Sequence, residues 1–152
     1  LVSESDDPAR RSEDFRRTVL RLQGNLNAIE RCRKPVLAAI HHTCIGGGVD
    51  MTCCADMRYA TEDAFFSIRE IDIGMTADVG TLQRLPKLIP DGVARELAYT
   101  GRDMGAREAR EVGYINRVFA DSDSMLQEVT RIARAIAEKS PLAVRVSKEM
   151  LL

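Results

Sequence analysis

The chain has 152 residues, 45% of them hydrophobic and 30% charged, with a net charge of -1. That length is enough for one domain with its own core. The 22 basic residues are balanced by 23 acidic ones, so no basic tract exists to follow a phosphate backbone, and nucleic acid is not an expected partner.

No apolar run approaches the roughly 20 residues that a membrane-crossing helix needs, so no membrane span is expected. The four cysteines, Cys32, Cys44, Cys53 and Cys54, form no CxxC pair, and the two histidines, His41 and His42, are adjacent. No metal site is expected from such a set. All four thiols are expected to be reduced, in a non-secreted protein, with Cys53 and Cys54 serving as small apolar residues in a buried helix. The chain starts on Leu1 and stops at Leu152 inside a helical pattern, the expected look of a fragment whose targeting signals lie outside it.

In chain order, residues 1–7 are polar and acidic and are expected to fray. From Pro8 onward, Phe15, Val19, Leu22, Leu26 and Ile29 recur at steps of three and four, one face of a helix that closes before Pro35. Residues 36–40 form a short, wholly apolar run, which predicts a strand buried on both faces. The run Cys44-Ile45-Gly46-Gly47-Gly48-Val49-Asp50 follows, and a helix is expected from its glycines to about Ala55. Residues 57–60 and 64–67 read as short strands. Residues 69–79 have weak periodicity and read as a functional loop.

Helices are predicted near 79–88, where Pro86 should bend or interrupt the element, and over 92–100. A short helix over 105–113 ends on Gly113, and 115–119 reads as a strand. Asp121 or Ser122 can cap a helix whose expected apolar face is Leu126, Val129, Ile132, Ala133 and Ile136. Ser140-Pro141 starts the last helix, with Ser as cap and Pro in the first turn. Strands alternating with helices indicate an α/β fold. The expected organisation is a leading helix over 1–34, a core with active-site loops over 35–119 and C-terminal helices over 120–152.

The glycine run carries the chemistry most directly. Bare backbone N–H groups at a helix start stabilise negative charge, and glycine lets a ligand approach closely. An N–H aimed at a thioester oxygen would stabilise an enolate, an effect worth about 3–4 kcal/mol of barrier. The same run serves equally as a tight strand–helix turn. It has neither the Gly-Lys-Ser/Thr of a Walker loop nor a GxGxxG spacing. Three acids follow, each with an ordinary alternative. Asp50 fits as a first-turn acid complementing the helix dipole, Glu70 as a solvated charge, and Asp78 as a helix cap. Brought together in a partly apolar pocket, such acids can divide the roles of base and acid, but spacing alone does not bring them together. Asp56, Arg58, Glu62 and Asp63 read as solvated or paired surface charges, and His41 and His42 as packing or loop residues.

Lys34-Pro35-Val36-Leu37-Ala38-Ala39-Ile40, the glycine run, Cys54-Ala55-Asp56-Met57-Arg58-Tyr59, Ala64-Phe65-Phe66 and Lys139-Ser140-Pro141-Leu142-Ala143 together resemble the crotonase, or enoyl-CoA hydratase/isomerase, superfamily. The likeness covers nearly everything from residue 30 to 152. It implies a spiral of ββα units, here its central and later part with C-terminal helices, and assembly as homotrimers that can pair into homohexamers. Within the family, acids at Asp50, Glu70 and Asp78 resemble the dienoyl-CoA isomerases. The hydratases usually carry glutamates at the first two positions and no acid at the third.

The resemblance therefore implies a 1,5-proton shift that converts a 3,5-dienoyl-CoA to a 2,4-dienoyl-CoA in the oxidation of unsaturated fatty acids. Glu70 is the implied base, Asp78 the implied acid, and Asp50 a tuning charge. Gly47 supplies one oxyanion donor, and the second comes from the family's N-terminal half. No metal or redox cofactor is implied, coenzyme A being part of the substrate. The implied location is mitochondrial or peroxisomal. An enoyl-CoA hydratase and a non-catalytic assembly module are the alternatives. His42-Thr43 depart from the small residues, often Gly-Gly, usual at that place.

Overall fold

A computed structural model describes residues 7–152; of the expected fraying over 1–7, residues 1–6 lie outside them, and Asp7 is instead held as a helix cap. The chain opens with helix α1 (Pro8–Glu30), capped by the Asp7 carboxylate, which accepts from Ala9 N–H at 2.9 Å. Two short strands follow, β1 (Leu37–Ile40) and β2 (Thr43–Ile45), and then helix α2 (Gly47–Cys53). Strands β3 (Met57–Thr61) and β4 (Phe65–Ser67) repeat the pattern. A single 3-10 turn (Arg69–Ile73) leads to helices α3 (Thr81–Leu88) and α4 (Asp91–Thr100). Strand β5 (Met104–Gly105), helix α5 (Ala106–Glu111), strand β6 (Arg117–Phe119) and helices α6 (Ser122–Ala137) and α7 (Pro141–Leu151) complete the described chain.

The strands build two three-stranded sheets, ordered β1-β3-β6 and β2-β4-β5. Leu37 pairs in parallel with Met57, and Thr43 pairs in parallel with Phe65, so the second ββ pair lies directly beside the first. Each circuit of the chain thus adds one strand to each sheet, which is the geometry of a spiral. Parallel pairing requires a crossover between neighbours, and α2 supplies it. β6 joins β3 in parallel, and β5 closes antiparallel on β4.

The main core includes Cys44, Val49, Phe66, Leu85, Leu97, Met104, Tyr114 and Ile115. A smaller cluster under α6 gathers Tyr59, Met125 and Val129. Among the described residues no helix is long and apolar enough to cross a membrane.

Several expectations need correction. β1 is not buried on both faces: only Ile40 is buried, and Leu37, Ala38 and Ala39 are half-buried. The reason is its place at a sheet edge among the described strands, with β3 its one strand neighbour and α6 packed against it. The inward face of α6 holds Val129 and Ile132 as expected, but Met125, fully buried, takes the place expected for Leu126, which is 51% exposed. Residues 69–79 are not wholly irregular, because the 3-10 turn fills their first part and ends on Gly74 at φ +70°. Pro86 does not interrupt α3; it sits in the last turn, and the helix continues to Leu88. β2 and β5 are too short to leave a periodic signal.

Arg58 is the clearest reversal. Far from a surface charge, it is 5% exposed. Its Nε donates to Tyr114 O at 2.8 Å, and its Nη1 donates to Ala55 O at 2.6 Å and Thr52 O at 3.3 Å. A cation at the carbonyl end of α2 complements the helix dipole. Asp56 is also structural: its Oδ2 accepts from Val36 N–H at 2.7 Å and from the buried Lys148 at 2.7 Å, which pins α7 to the entry of β1.

The four cysteines are free, with Cys44, Cys53 and Cys54 buried and Cys32 half-buried. Burial pushes the Cys53 thiol up to about 12 and raises Cys44 and Cys54 as well. These sulfurs are held as thiols, which are poor nucleophiles.

Candidate active site

β2 delivers the chain into the glycine run, and Gly46 makes the turn. Its φ of +52° and ψ of -115° suit glycine alone. Its N–H donates to Ser67 O at 3.0 Å, which fastens the turn to the end of β4. The 3-10 turn begins two residues past Ser67 and carries Glu70 back over Gly46. A Cβ built on Gly46 would lie 2.9 Å from Glu70 Oε1. Glycine at 46 is therefore needed twice, for its backbone angle and for the room it leaves the carboxylate.

Gly47 is the first residue of α2, so its N–H has no partner within the helix. It is exposed, and a Cβ built there meets nothing within 4 Å. Space therefore exists in front of this backbone for a ligand.

Asp50 lies in the first turn of the same helix and is fully buried. Its N–H donates to Gly46 O at 3.0 Å. Its carboxylate does more than face the dipole of its own helix. Oδ1 accepts from Thr81 N–H at 2.7 Å and from Thr81 Oγ1 at 2.6 Å. Because Gly80 has no side chain to cap α3, Asp50 satisfies an open N–H of that helix from across the fold. Oδ2 has no partner. Among the described residues, the buried side-chain atoms without a hydrogen bond are Asp50 Oδ2 and Glu70 Oε2. Leaving such groups bare costs stability, and unpaired buried polar groups call for an explanation such as a catalytic role.

Asp78 is exposed and is not a helix cap, since α3 starts at Thr81 with Gly80 before it. Its main-chain oxygen accepts from Gln23 Nε2 of α1 at 2.9 Å. It borders a cleft of about 400 Å³ between α1 and α3, which Glu30, Arg84 and Lys87 also line. Asp50 and Glu70 are not on the walls of that cleft. The fold thus brings Asp50 and Glu70 to the glycine turn, and joins Asp78 to them through the short stretch ending at Thr81.

Residues outside the expected set hold this arrangement. The Arg84 guanidinium bonds both Glu30 oxygens, at 2.9 and 3.0 Å, and Asn27 Oδ1 at 2.7 Å. The same arginine holds the Glu30 carboxyl below its ordinary range. None of α1 is fully buried, and Phe15 and Leu22 of its expected apolar face are exposed, so these polar clamps account for much of its attachment to the Asp78 segment. Thr81 and Gln23 left no signal in the sequence, because their partners are distant in the chain. The family departure at 42 has a physical form: His42 takes φ +54°, the left-handed region that small residues favour, and its ring pairs with Asp63.

Residues 6–152 match the enoyl-CoA hydratase/isomerase family, and the chain belongs to it. It is 49% identical to the peroxisomal Δ3,5-Δ2,4-dienoyl-CoA isomerase of Arabidopsis thaliana, over 99% of this chain and 54% of that protein. It is 49% identical to the mitochondrial isomerase of the same name from Homo sapiens, over 100% of this chain and 47% of that protein. A solved probable enoyl-CoA hydratase/isomerase from Mycobacterium abscessus superposes with a TM-score of 0.88 at 33% identity, over 92% of this chain and 54% of the other. An enoyl-CoA hydratase from Bacillus anthracis gives 0.85 at 34%, over 95% and 57%. The chain spans about half the length of the curated relatives it matches.

Proposed function

We propose that the protein carrying this chain isomerises a 3,5-dienoyl-CoA to a 2,4-dienoyl-CoA by a 1,5-proton shift. The observation that carries the reading is the identity of 49% with proteins named for that isomerisation, sustained across essentially the whole chain. Two features of the site support it. Gly47 is exposed and starts its helix, with nothing within 4 Å of a Cβ built on it, and the buried oxygens Asp50 Oδ2 and Glu70 Oε2 have no hydrogen-bond partner.

In this reading the thioester oxygen accepts the Gly47 N–H and a second donor from the family's N-terminal half. That acidifies the proton on C2. Glu70 removes it, and the dienolate spreads its charge along the conjugated chain to C6. Asp78 delivers a proton to C6, which moves the double bonds into conjugation with the thioester. Charge develops at two separated carbons, so the two acids need separate stations, and Glu70 stands at the glycine turn while Asp78 stands just before α3. Asp50 sets the electrostatics between them. No metal or redox cofactor takes part, coenzyme A being part of the substrate. The working unit is a homotrimer or homohexamer, and the location is mitochondrial or peroxisomal, as in the names of the relatives.

Hydration is the second reading, favoured by the hydratase name of a structural neighbour at 34% identity. Purified full-length protein assayed on a 3,5-dienoyl-CoA and on crotonyl-CoA separates the two. Isomerisation of the dienoyl thioester well above crotonyl-CoA hydration is expected. The opposite ranking replaces the isomerase with a hydratase, and conversion of neither favours an assembly module.

A further inference from the structure

The Asp50 carboxylate is divided unequally. One oxygen takes two donors, both from Thr81, at 2.6 and 2.7 Å, and the other takes none. Asp50 is fully buried and Thr81 is 1% exposed, so water does not compete for these bonds. Thr81 is also the first residue of α3. It therefore stands at the junction where the Asp78 segment enters a helix, three residues after Asp78.

We infer that Thr81 is a positioning residue of the site, holding one Asp50 oxygen so that the other is presented to the acyl thioester, and tying the Asp78 segment to the glycine helix. The physical argument is one of rotation. A carboxylate on two bonds turns freely about its terminal torsion. Two donors from one residue converging on one oxygen stop that rotation, and a charge-assisted bond is stronger than a neutral one. The main-chain donor cannot be removed by substitution, but the hydroxyl can. It is the hydroxyl that is specific to threonine or serine at this position. The inference rests on the isomerase reading for its substrate, not for its geometry.

A four-variant cycle tests it in the full-length protein: Thr81→Val, Thr81→Ser, Asp50→Asn and the double variant Thr81→Val/Asp50→Asn. Thr81→Val is expected to lower kcat about 10- to 100-fold while KM moves less than about 3-fold. Thr81→Ser keeps the hydroxyl and is expected within about 3-fold of the parent. In the Asp50→Asn background, Thr81→Val is expected to cost less than about 2-fold more, because its effect passes through Asp50.

Equal losses from Thr81→Val with and without Asp50, or a serine variant as impaired as the valine one, overturn the inference. If the valine variant does not fold, Thr81→Ala replaces it, since alanine removes the hydroxyl without a second methyl to place. The cycle is read on the dienoyl thioester. If the parent converts only crotonyl-CoA, the isomerase reading fails, and the same cycle on crotonyl-CoA still decides the role of Thr81. If the parent converts neither, both fall.

Discussion

Two buried polar clusters sit at opposite ends of α2, and they are built on opposite principles. At the carbonyl end, Arg58 spends its donors on three main-chain oxygens and lies 5.2 Å over the Tyr114 ring. Tyr114 in turn shares its hydroxyl with Thr52 at 2.8 Å and packs edge-on against Phe66. Burial drives the Tyr114 hydroxyl well above its ordinary pKa, so it stays protonated as a hydrogen-bonding group. At the amide end, Gly47 faces open space, and Asp50 and Glu70 each keep an oxygen unpaired. Among the described residues the first cluster leaves no buried side-chain atom without a partner, whereas the second leaves two. A helix of seven residues thus separates a satisfied cluster from one with unpaired acceptors.

Substitutions can break that contrast if it is wrong. The largest effect is expected from Glu70→Gln, with Asp78→Asn beside it. Each should slow dienoyl isomerisation about 100- to 10,000-fold, the usual contribution of a proton-transfer group. The melting temperature should hold, because at Glu70 an uncharged amide replaces a carboxylate with an unpaired buried oxygen and Asp78 is exposed. Near-parent turnover by Glu70→Gln removes it as the base.

Arg58→Ala should behave in the reverse way. It strands the Tyr114 and Ala55 carbonyls, while Thr52 O keeps Ala55 N–H at 3.2 Å, and is expected to cost about 3 kcal/mol or more in urea unfolding, with activity per folded molecule retained. Tyr114→Phe should cost less, about 1–2 kcal/mol, since the Thr52 hydroxyl keeps Gly48 O and Val49 O as acceptors. If either variant loses turnover while keeping its stability, the satisfied cluster is not merely structural.

The smallest effect concerns the clamp beneath Asp78. Arg84 lowers the Glu30 carboxyl below its ordinary value of 4.5. A carboxylate whose pKa is lowered by folding stabilises the fold above its unfolded pKa, and that contribution fades as pH falls through the folded one. Glu30→Gln is therefore expected to cost about 1 kcal/mol or less at pH 7, given the partial exposure of the pair. The difference from the parent should close in acid, as melting curves across pH will show. A difference that widens in acid contradicts the assigned sign.

Much of the fold was legible in local pattern. Proline and serine marked the start of α7, Asp121 marked α6, and the glycine run marked α2. Each is a short-range matter of caps and backbone angles. On α6 Val129 and Ile132 were read correctly, but Leu126 was chosen over Met125, because the two are equally apolar and only the sheet beneath decides which is covered. Arg58 was read as a surface charge, because its partner at 114 becomes a neighbour only when β6 lies down beside β3.

The same division runs through the site. By itself the sequence determined which residues could act: a glycine turn that no other residue can make, acids at 50, 70 and 78, and a family pattern that includes them. The tertiary structure alone decided how they stand. The spiral stacks β4 beside β2 and so lays Glu70 over Gly46. It brings the start of α3 against α2 and so puts Thr81 on Asp50. It leaves a buried oxygen unpaired on Asp50 and on the half-buried Glu70. Composition and spacing act along the chain, whereas a hydrogen bond between residues 50 and 81 depends on two turns of the spiral closing on each other, which no local pattern encodes.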